Sequence, residues 1–337
     1  MRQAILGAAH EVELDNVQVP EIGPKDALVK VEACGICGTD MQAYKDGDAT
    51  GVYQAPTKFG HEIVGRIEKV GSETTGLTVG QRVVVNPCLI NPGLHMDAVR
   101  AGGFADFVKI NNAVHEHNLF PISDALPQAA AVTIEPAVTG FHLARRGNPQ
   151  PGEKVVIFGA GTMGLAALQA FIALGIDDVI MADVTESRLA LATKMGARAV
   201  VNPAESDVEA FLREHHGDFR GATPGVGTDI YIDTAGVSSA VDTALNAAKF
   251  NARIIFFGIH KKPLTIDAVT IVSKQLSLLS SSGYDEDEWR PTIDLIEAGK
   301  LDISAIVTHT FGLNAVEDAL EMSTRGSEAL KVVVAAN

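Results

Sequence analysis

Apolar residues in the middle of the chain fall into short continuous runs separated by a longer helical segment. Residues 155–158 (VVIF) and 179–182 (VIMA) are entirely apolar, which is typical of parallel strands buried on both faces. Between them, residues 162–174 are apolar on nearly every side, with Gln169 the only strongly polar side chain, and this pattern predicts a buried helix. Residues 154–183 therefore predict a strand, a helix and a second strand of one parallel sheet.

The same alternation continues along the chain. It predicts a helix at residues 187–195 and further strands at residues 199–201, 228–233 and 253–258. The polar segment REHHGDFRG, which contains His215 and His216, predicts a helix end followed by a surface loop. Together these elements predict a doubly wound α/β sheet.

The first half of the chain has a different pattern. Strand-like runs at residues 27–31, 63–70 and 82–85 alternate with turn sequences such as GPKD at residues 23–26. This half is therefore predicted to be β-rich and barrel-like. Because 337 residues are many for a single core, the two patterns predict two domains of different kinds.

A glycine pattern joins the first of the apolar strands to the buried helix. Gly159, Gly161 and Gly164 form G-x-G-x-x-G, in which the first glycine permits a tight turn, the second lets the backbone approach a pyrophosphate, and the third lets helix and strand pack closely. The first helical residues, Thr162 and Met163, would present free N–H groups and the positive end of the helix dipole to a phosphate. We therefore predict dinucleotide binding; the alternative is that the glycines only form a tight turn.

Asp183 ends the second apolar run, about 20 residues after the glycines, where an acid would accept hydrogen bonds from an adenosine ribose. Its charge would repel the additional phosphate of NADP, so the sequence favours NAD. Arg188 is a counter-argument, because an arginine near this point can bind that phosphate. Its position in the pattern, however, places Arg188 on the following helix.

Composition and charge exclude several classes of function. Hydrophobic residues make up 46% of the chain and charged residues 20%, as in a folded enzyme rather than a disordered protein. The net charge of −15 and the lack of a Lys- or Arg-rich run argue against a nucleic-acid-binding surface or an anionic membrane patch. No run approaches the roughly 18 apolar residues of a membrane span, and residues 1–14 lack the features of a signal peptide, so we expect a cytoplasmic protein.

Two short turn segments in the β-rich half carry metal-binding chemistry. Residues 34–40 (CGICGTD) and 59–65 (FGHEIVG) contribute a thiol, an imidazole and a carboxylate, which together suit zinc. Three protein ligands and an open fourth position would make the site catalytic. Cys34 and Cys37 also form C-x-x-C, a spacing found in redox and metal pairs, but no second such pair exists. The alternating pattern around Cys34 predicts a core residue instead.

Several of these segments occur together, in the same order, in one enzyme family. The motifs are GICGTD at residues 35–40, GHEIVG at 60–65, GGFADFV at 102–108, EPA at 135–137, GAGTMG at 159–164 and DTAG at 233–236. The chain thus resembles the zinc-containing medium-chain alcohol dehydrogenases, especially their polyol, threonine and butanediol dehydrogenase branch. The resemblance covers nearly the whole chain.

This resemblance implies a fold and an assembly. Residues 1–141 and 283–337 would form a GroES-like catalytic domain, and residues 142–282 a Rossmann domain that binds NAD, with the active site in the cleft between them. The pattern within residues 292–302 predicts an amphipathic helix that ends at Gly299, and strands at 308–311 and 330–334 would then return the chain to the catalytic domain. The family further implies a homo-oligomer, either a dimer or a tetramer.

The resemblance also implies a role for individual residues. Four positions match ligands of a catalytic zinc: Cys37, His61, Glu62, which would bind directly or through water, and Glu135, which would exchange with it. Thr39 matches the hydroxyl that receives the substrate's proton, and Asp40 matches an acid that orients the ligands. The implied reaction transfers a hydride from a small secondary alcohol or polyol to NAD. In the reverse direction the substrate is the corresponding ketone.

Two departures from the family pattern change these expectations. Residues 86–101 lack the four closely spaced cysteines that hold a structural zinc in relatives, and Cys88 with His95 cannot make a closed site, so we expect one zinc per chain. Gln42 stands where many relatives have a histidine that passes the proton to solvent, and an amide cannot titrate. The relay would then continue from Thr39 through the nicotinamide ribose to water or another group. Four histidines are candidates from their sequence positions: His95, His115, His117 and His142.

Two other functions remain open at this stage. One is a zinc-free reductase of enones or quinones on the same scaffold, although those relatives lack the Cys, His and Glu set. The other is a dinucleotide-binding sensor without catalytic activity, which the missing lobe and Gln42 would suit.

Overall fold

The computed structural model describes residues 1–48, 53–89, 95–221 and 223–336. The chain divides into two units. The first unit consists of Met1–Glu135, Trp289–Glu297 and Ser304–Asn337, and the second of Pro136–Glu288 and Ala298–Ile303. The second unit is therefore inserted into the sequence of the first.

Strands and helices follow one another in an order that differs between the two units. The strands are β1 (Arg2–Leu6), β2 (Val12–Asn16), β3 (Ala27–Gly35), β4 (Thr57–Lys58), β5 (Glu62–Val70), β6 (Arg82–Val85), β7 (Phe107–Ile110), β8 (Leu119–Pro121), β9 (Val155–Phe158), β10 (Val179–Ala182), β11 (Ala199–Val201), β12 (Asp218–Phe219), β13 (Gly225–Val226), β14 (Ile230–Asp233), β15 (Arg253–Phe256), β16 (Ser277–Ser280), β17 (Val307–Gly312) and β18 (Lys331–Ala335). The α-helices are α1 (Gly38–Asp46), α2 (Gln128–Val132), α3 (Ile134–Arg146), α4 (Thr162–Ala173), α5 (Glu186–Lys194), α6 (Val208–His216), α7 (Ser238–Ala247), α8 (Ala268–Lys274), α9 (Trp289–Glu297) and α10 (Val316–Ser323).

The first unit is built on a mostly antiparallel sheet. Its strands lie in the order β17-β18-β3-β5-β6-β8, and β7 also pairs with β3. The register between β3 and β5 shifts at Leu28/Val29 and again at Val31/Ala33, and such bulges bend and twist the strands that carry them. Cys34 is completely buried in the core on β3, as its alternating pattern predicted. The unit is β-rich, in agreement with the sequence analysis.

The second unit contains a six-stranded parallel sheet. Its strands lie in the order β11-β10-β9-β14-β15-β16, which is doubly wound, and the connection changes direction between β9 and β14. Ile157 of β9 aligns with Met181 of β10 on one side and with Ile232 of β14 on the other. All residues of these three strands are buried, which explains their continuous apolar sequences. The predicted strand–helix–strand unit is thus confirmed.

The segment that contains His215 and His216 was predicted to be a helix end followed by a surface loop. The helix end at residues 215–216 is present, but the prediction of a surface position is wrong for His216, of which only 2% is exposed. The reason is a contact from outside the helix: the Nδ1 atom of His216 lies 2.7 Å from the Thr228 hydroxyl, and its carbonyl accepts a hydrogen bond from Lys154. None of the helices in the described ranges is long and apolar enough to cross a membrane.

Candidate active site

Cys37 lies at the N-terminus of α1, directly after the turn that follows β3. The backbone N–H of Cys37 donates to the Asp40 carboxylate at 2.9 Å, so the cysteine and the acid of the first helical turn fix each other.

His61 and Glu62 enter the interior through a turn that requires glycine. Gly60 has a φ angle of +89°, and a Cβ atom there would lie 2.7 Å from the ring of Phe104. After this turn β5 begins at Glu62, and only 7% of His61 and 2% of Glu62 are exposed. The GHE sequence therefore forms a glycine turn followed by two buried polar side chains.

A second glycine makes room for the Glu62 carboxylate. Gly35 pairs with Glu62 across β3 and β5, and a Cβ atom at Gly35 would lie 2.0 Å from the Glu62 Oε2 atom. No side chain other than hydrogen is compatible with this position of the carboxylate. The sequence motif contains Gly35, but its importance for the position of the Glu62 carboxylate depends on the pairing of the two strands.

The structure brings three of the four predicted metal ligands together. The Cys37 thiol, one His61 ring nitrogen and a Glu62 oxygen lie within 4.8 Å of one another. Zinc ligands in a tetrahedral site are roughly 3.5 Å apart, given the usual metal–ligand bond lengths, so small side-chain movements would close this group around an ion. The donor set of thiol, imidazole and carboxylate is one that zinc prefers.

Asp40 is a buried acid that lies beside one of these three side chains. It is completely buried, accepts a hydrogen bond of 3.1 Å from the Tyr53 hydroxyl, and has its Oδ1 atom 3.8 Å from the Nδ1 atom of His61. Burial lowers the pKa of His61, but the charges of Asp40 and Cys37 outweigh it, so the pKa lies well above its ordinary value. The predicted orienting acid is therefore positioned beside a predicted ligand.

Glu135 and Thr39 are not members of this group of three ligand atoms. Glu135 is in the first turn of α3, and it is not one of the three side chains with ligand atoms within 4.8 Å. Burial raises the pKa of Glu135 to about 7, and the charge of His61 acts in the opposite direction. Thr39 is exposed in the first turn of α1, and its side chain interacts with that of Tyr53.

Lys331 is a component of this site that the sequence analysis missed. Its Nζ atom lies 2.6 and 2.8 Å from the two carboxylate oxygens of Glu62 and donates to the Ile36 carbonyl at 3.0 Å. Only 3% of the Lys331 side chain is exposed. Burial lowers the pKa of Lys331, but the charges of Glu62 and Cys37 outweigh it and the net shift is upward. The only sequence signal is a lysine at the start of an apolar strand, β18.

The charges of the site also fit a divalent cation. Burial raises the pKa of the Asp40 and Glu135 carboxyl groups, because their ionised forms lack solvent. A cation bound by Cys37, His61 and Glu62 would stabilise these ionised forms. The residues present are therefore compatible with a zinc ion in both donor type and charge.

The predicted dinucleotide turn of the second unit has the geometry that its glycines require. Gly159 has a φ angle of +102°, and a Cβ atom on Gly164 would lie 1.8 Å from the Gly159 carbonyl oxygen. At Gly161 a Cβ atom would have no neighbour within 4 Å, so the backbone there faces open space that a pyrophosphate could fill. Thr162 and Met163 begin α4 directly after this point.

Asp183 lies at the carboxyl end of β10, beside the glycine turn. Its two oxygens accept backbone hydrogen bonds from Ala160 at 2.7 Å and from Thr185 at 2.8 Å, which hold the carboxylate in place. The carboxylate lines a cavity of about 450 Å³, and Asp207 and Glu209 line the same cavity. Arg188 is on α5, as predicted, and is not among the residues that line it.

Gln42 and the histidines that are candidates for the proton relay lie in different parts of the fold. Gln42 is exposed on α1, and His115 is exposed in an isolated bridge to Leu119, the first residue of β8. His142 is buried in the second unit, where its Nδ1 atom lies 2.8 Å from a Glu288 oxygen.

Of the segment expected to lack a structural zinc, residues 90–94 and the side chain of His95 lie outside the described part of the chain.

Comparison with known proteins agrees with the fold. The sequence matches the alcohol dehydrogenase GroES-like domain family over residues 23–124 and the zinc-binding dehydrogenase family over residues 162–298. Sorbitol dehydrogenase from Arabidopsis thaliana is 30% identical over 94% of this chain and 90% of its own length. L-threonine 3-dehydrogenase from Symbiobacterium thermophilum is 30% identical over 98% of this chain and 96% of its own.

Solved structures show the same fold. The 2R,3R-butanediol dehydrogenase from Bacillus subtilis superposes with a TM-score of 0.87 at 24% identity, covering 100% of this chain and 99% of that one. A zinc-binding dehydrogenase from Sinorhizobium meliloti, solved with bound NADP, has a TM-score of 0.83 at 26% identity, covering 99% of this chain and 98% of that one.

The fold and the site define a zinc-dependent dehydrogenase that uses a nicotinamide cofactor. The chain belongs to the zinc-containing medium-chain alcohol dehydrogenase family, in the group that includes polyol and threonine dehydrogenases. The predicted GroES-like and Rossmann fold classes and the predicted enzyme class are thereby confirmed.

Proposed function

We propose that this protein oxidises a secondary alcohol or polyol with NAD, and reduces the corresponding ketone in reverse, using one zinc ion per chain. The observation that carries the proposal is the approach of the Cys37, His61 and Glu62 ligand atoms to within 4.8 Å of one another. The substrate class is supported by the relatives, which are named as sorbitol, threonine and butanediol dehydrogenases.

Each side chain of the site has a proposed task. Zinc held by Cys37, His61 and Glu62 would act as a Lewis acid on the substrate oxygen. Asp40 holds the helix turn that carries Cys37 and lies beside the ring of His61, so it orients two of the three ligands. Glu135 supplies a further carboxylate close enough to interact electrostatically with His61, and we assign it the role of an exchanging ligand.

Thr39 is proposed to accept the proton of the substrate hydroxyl. It is exposed two residues after Cys37, and its side chain interacts with the Tyr53 hydroxyl, which itself donates to the buried Asp40 carboxylate. Gln42, one turn further along α1, is exposed but has no titratable proton. The proton therefore leaves Thr39 by a route that does not use this helix position.

NAD is the proposed cofactor, with Gly159, Gly161, Thr162, Met163 and Gly164 around its pyrophosphate. Asp183 would accept hydrogen bonds from the hydroxyls of the adenosine ribose. Asp207 and Glu209 add two further carboxylates to the lining of the same cavity. A 2′-phosphate would meet this negative charge, so NAD is favoured over NADP, and Arg188 does not line the cavity.

The test of the zinc proposal is metal content together with activity. Protein purified without added metal should hold about one zinc per chain, and Cys37→Ser should lose both the zinc and NAD-linked oxidation of secondary alcohols. Cys88→Ser is the matched control, because its thiol is outside the group of ligand atoms, and it should retain both. A folded wild type that cannot be loaded with zinc would contradict the proposal and favour the zinc-free reduction of enones.

We also propose that the protein is a homo-oligomer that associates through the second unit. β16 is an edge strand of the parallel sheet, and the preceding helix α8 exposes 72% of Val269 and 76% of Val272. No other strand of the described residues pairs with the outer edge of β16, and such an edge beside exposed apolar side chains suits pairing with a second copy. Light scattering should give the mass of a dimer or a larger assembly for the wild type. Val272→Glu should lower the measured mass of the assembly. A monomeric wild type would refute this proposal.

A further inference from the structure

A histidine and a buried carboxylate pair at the same sheet edge as the dinucleotide turn. The Nε2 atom of His260 lies 2.6 Å from the Oδ2 atom of Asp233. Only 2% of the Asp233 side chain and 15% of the His260 side chain are exposed. Neither the proposed zinc chemistry nor the glycine turn uses this pair.

The position of this pair is fixed by the loops that carry it. The other oxygen of Asp233 accepts hydrogen bonds from the backbone of Ala235 at 3.0 Å and of Gly236 at 2.9 Å. Gly236 and Gly258, in the loops after β14 and β15, pack so closely that a Cβ atom on Gly258 would lie 2.2 Å from the Gly236 nitrogen. His260 is therefore held at a defined point beyond the carboxyl end of β15.

The strand order determines which part of a dinucleotide this point faces. In a doubly wound sheet the dinucleotide lies across the carboxyl edge, centred on the switch point, with its pyrophosphate at the glycine turn. Asp183 follows β10, on one side of β9, and takes the adenosine ribose. The remaining half of the dinucleotide must then lie on the other side of β9, above β14 and β15, where Asp233 and His260 are.

The chemistry of the ring defines what it can bind there. A carboxylate only accepts hydrogen bonds, so the Nε2 atom of His260 carries the proton shared with Asp233. Within the described residues the Nδ1 atom of His260 has no hydrogen-bond partner. Whether it bears a proton or a lone pair, this nitrogen can bond a hydroxyl group, because a hydroxyl both donates and accepts.

We propose that His260, held by Asp233, binds a hydroxyl of the ribose attached to the nicotinamide. The inference rests on the dinucleotide binding proposed above, and it adds a cofactor-contacting residue on the nicotinamide side. The neighbouring Ile259, of which 75% is exposed, provides apolar surface at the same edge for the adjoining ring.

Truncated ligands separate this contact from a purely structural role. ADP contains the adenosine half and both phosphates, whereas ADP-ribose adds the second ribose without the nicotinamide. His260→Phe keeps an aromatic ring but removes both nitrogens, so it should weaken ADP-ribose and NADH binding about tenfold, the value of one good hydrogen bond, and leave ADP binding within about twofold. His260→Gln, which retains a donor and an acceptor, should restore part of the loss.

Titration calorimetry on the intact chain measures all three ligands. His215→Gln, at the end of α6, is the matched control and should bind each ligand as the wild type does. If both His260 variants lost the same affinity for ADP as for ADP-ribose, the pair would only hold the loops in place. If neither ligand lost affinity, the proposal would also be overturned. A wild type that binds ADP-ribose but oxidises no alcohol would refute the proposed function while leaving this assignment intact.

Discussion

Lys331 and Glu62 form a buried ion pair in which one ammonium group contacts both carboxylate oxygens, at 2.6 and 2.8 Å. Lys331 is on β18 and Glu62 begins β5, and β3 lies between these two strands in the sheet. The pair means that one candidate zinc ligand is already neutralised by the protein itself. In the proposed zinc site, Glu62 would bind the metal through its remaining lone pairs or yield that position to Glu135.

The first prediction removes this ammonium group. Lys331→Met leaves the Glu62 carboxylate buried without its partner, so the metal-free protein should lose about 3 kcal/mol of stability. Zinc should then raise the thermal midpoint of the variant more than that of the wild type, because the cation replaces the lost charge. Lys109→Met, which breaks a partly exposed pair with Asp26, is the control and should change stability by less than about 1 kcal/mol. Equal effects of the two variants would disprove a special role for Lys331.

A second prediction concerns the space beside Glu62. Gly35→Ala places a Cβ atom 2.0 Å from the carboxylate oxygen, so the carboxylate must move and zinc affinity should fall at least about tenfold. Gly38→Ala is the matched control in the same segment, because a Cβ atom there has no neighbour within 4 Å. Competition with a chromophoric chelator measures both affinities. Unchanged affinity in Gly35→Ala would mean that Glu62 does not contribute to binding.

The glycine turn allows a third prediction that separates folding from cofactor binding. Gly161→Ala adds a Cβ atom in open space, so the stability should stay within about 0.5 kcal/mol of the wild type while NADH binding weakens strongly. In Gly164→Ala the Cβ atom collides with the Gly159 carbonyl, so stability itself should fall by about 2 kcal/mol or more. Thermal denaturation and NADH fluorescence distinguish these cases. Normal NADH binding by Gly161→Ala would rule out the assigned pyrophosphate position.

The fourth prediction concerns the preference for NAD. Asp183→Asn removes one negative charge from the proposed ribose site and should reduce the ratio of NAD to NADP efficiency about tenfold. Asp177→Asn is the control, since Asp177 is exposed and precedes β10, whereas Asp183 follows it. The ratio is read from kcat/KM with each cofactor. If both variants kept the wild-type ratio, the discrimination would have to come from other residues.

The fifth prediction is a loss of stability in mild acid caused by His216. Burial lowers the pKa of His216 to about 4, from an ordinary value near 6.5. Between these two values the unfolded chain binds a proton that the folded chain does not, so the free energy of unfolding falls as the pH decreases from about 6.5 to 4, by roughly 2 to 3 kcal/mol in total. His216→Gln cannot titrate and should show a flatter profile.

The control for this pH effect is His215→Gln, which changes the neighbouring residue on the same helix. Urea denaturation at pH 7.5 and at pH 5 should give the same decrease in midpoint for this variant as for the wild type. If His216→Gln lost as much stability in acid as the wild type, the buried imidazole would not be its source.

Sequence reasoning placed the strands, the glycine turn and the turn residues correctly where their pattern is local along the chain. The apolar runs around residues 155–158, the glycines that follow and the acid at Asp183 are separated by distances that a single strand–helix–strand unit determines. Cys37 and His61 were found in the same way, because each stands in a short turn with its own motif. Their mutual approach follows from the pairing of β3 with β5.

The features that were missed depend on contacts between distant segments. Lys331 is 269 residues from Glu62, and Gly35 is aligned with Glu62 only by the register of two strands. His260 and Asp233 lie in loops after different strands, so only the strand order brings them together. His216 looks exposed on its own helix, because nothing in that helix indicates the contact with Thr228.

The insertion of the second unit has a consequence for biosynthesis. A ribosome completes the thiol, imidazole and carboxylate donors of the first unit, and then the whole of residues 136–288, before it makes β18. During that interval the nascent chain can hold the acid of Glu62 without the ammonium group that later neutralises it, while the inserted unit folds as a unit of its own. If Glu62 binds zinc as proposed, a cation captured in this interval would reach the carboxylate before the lysine does.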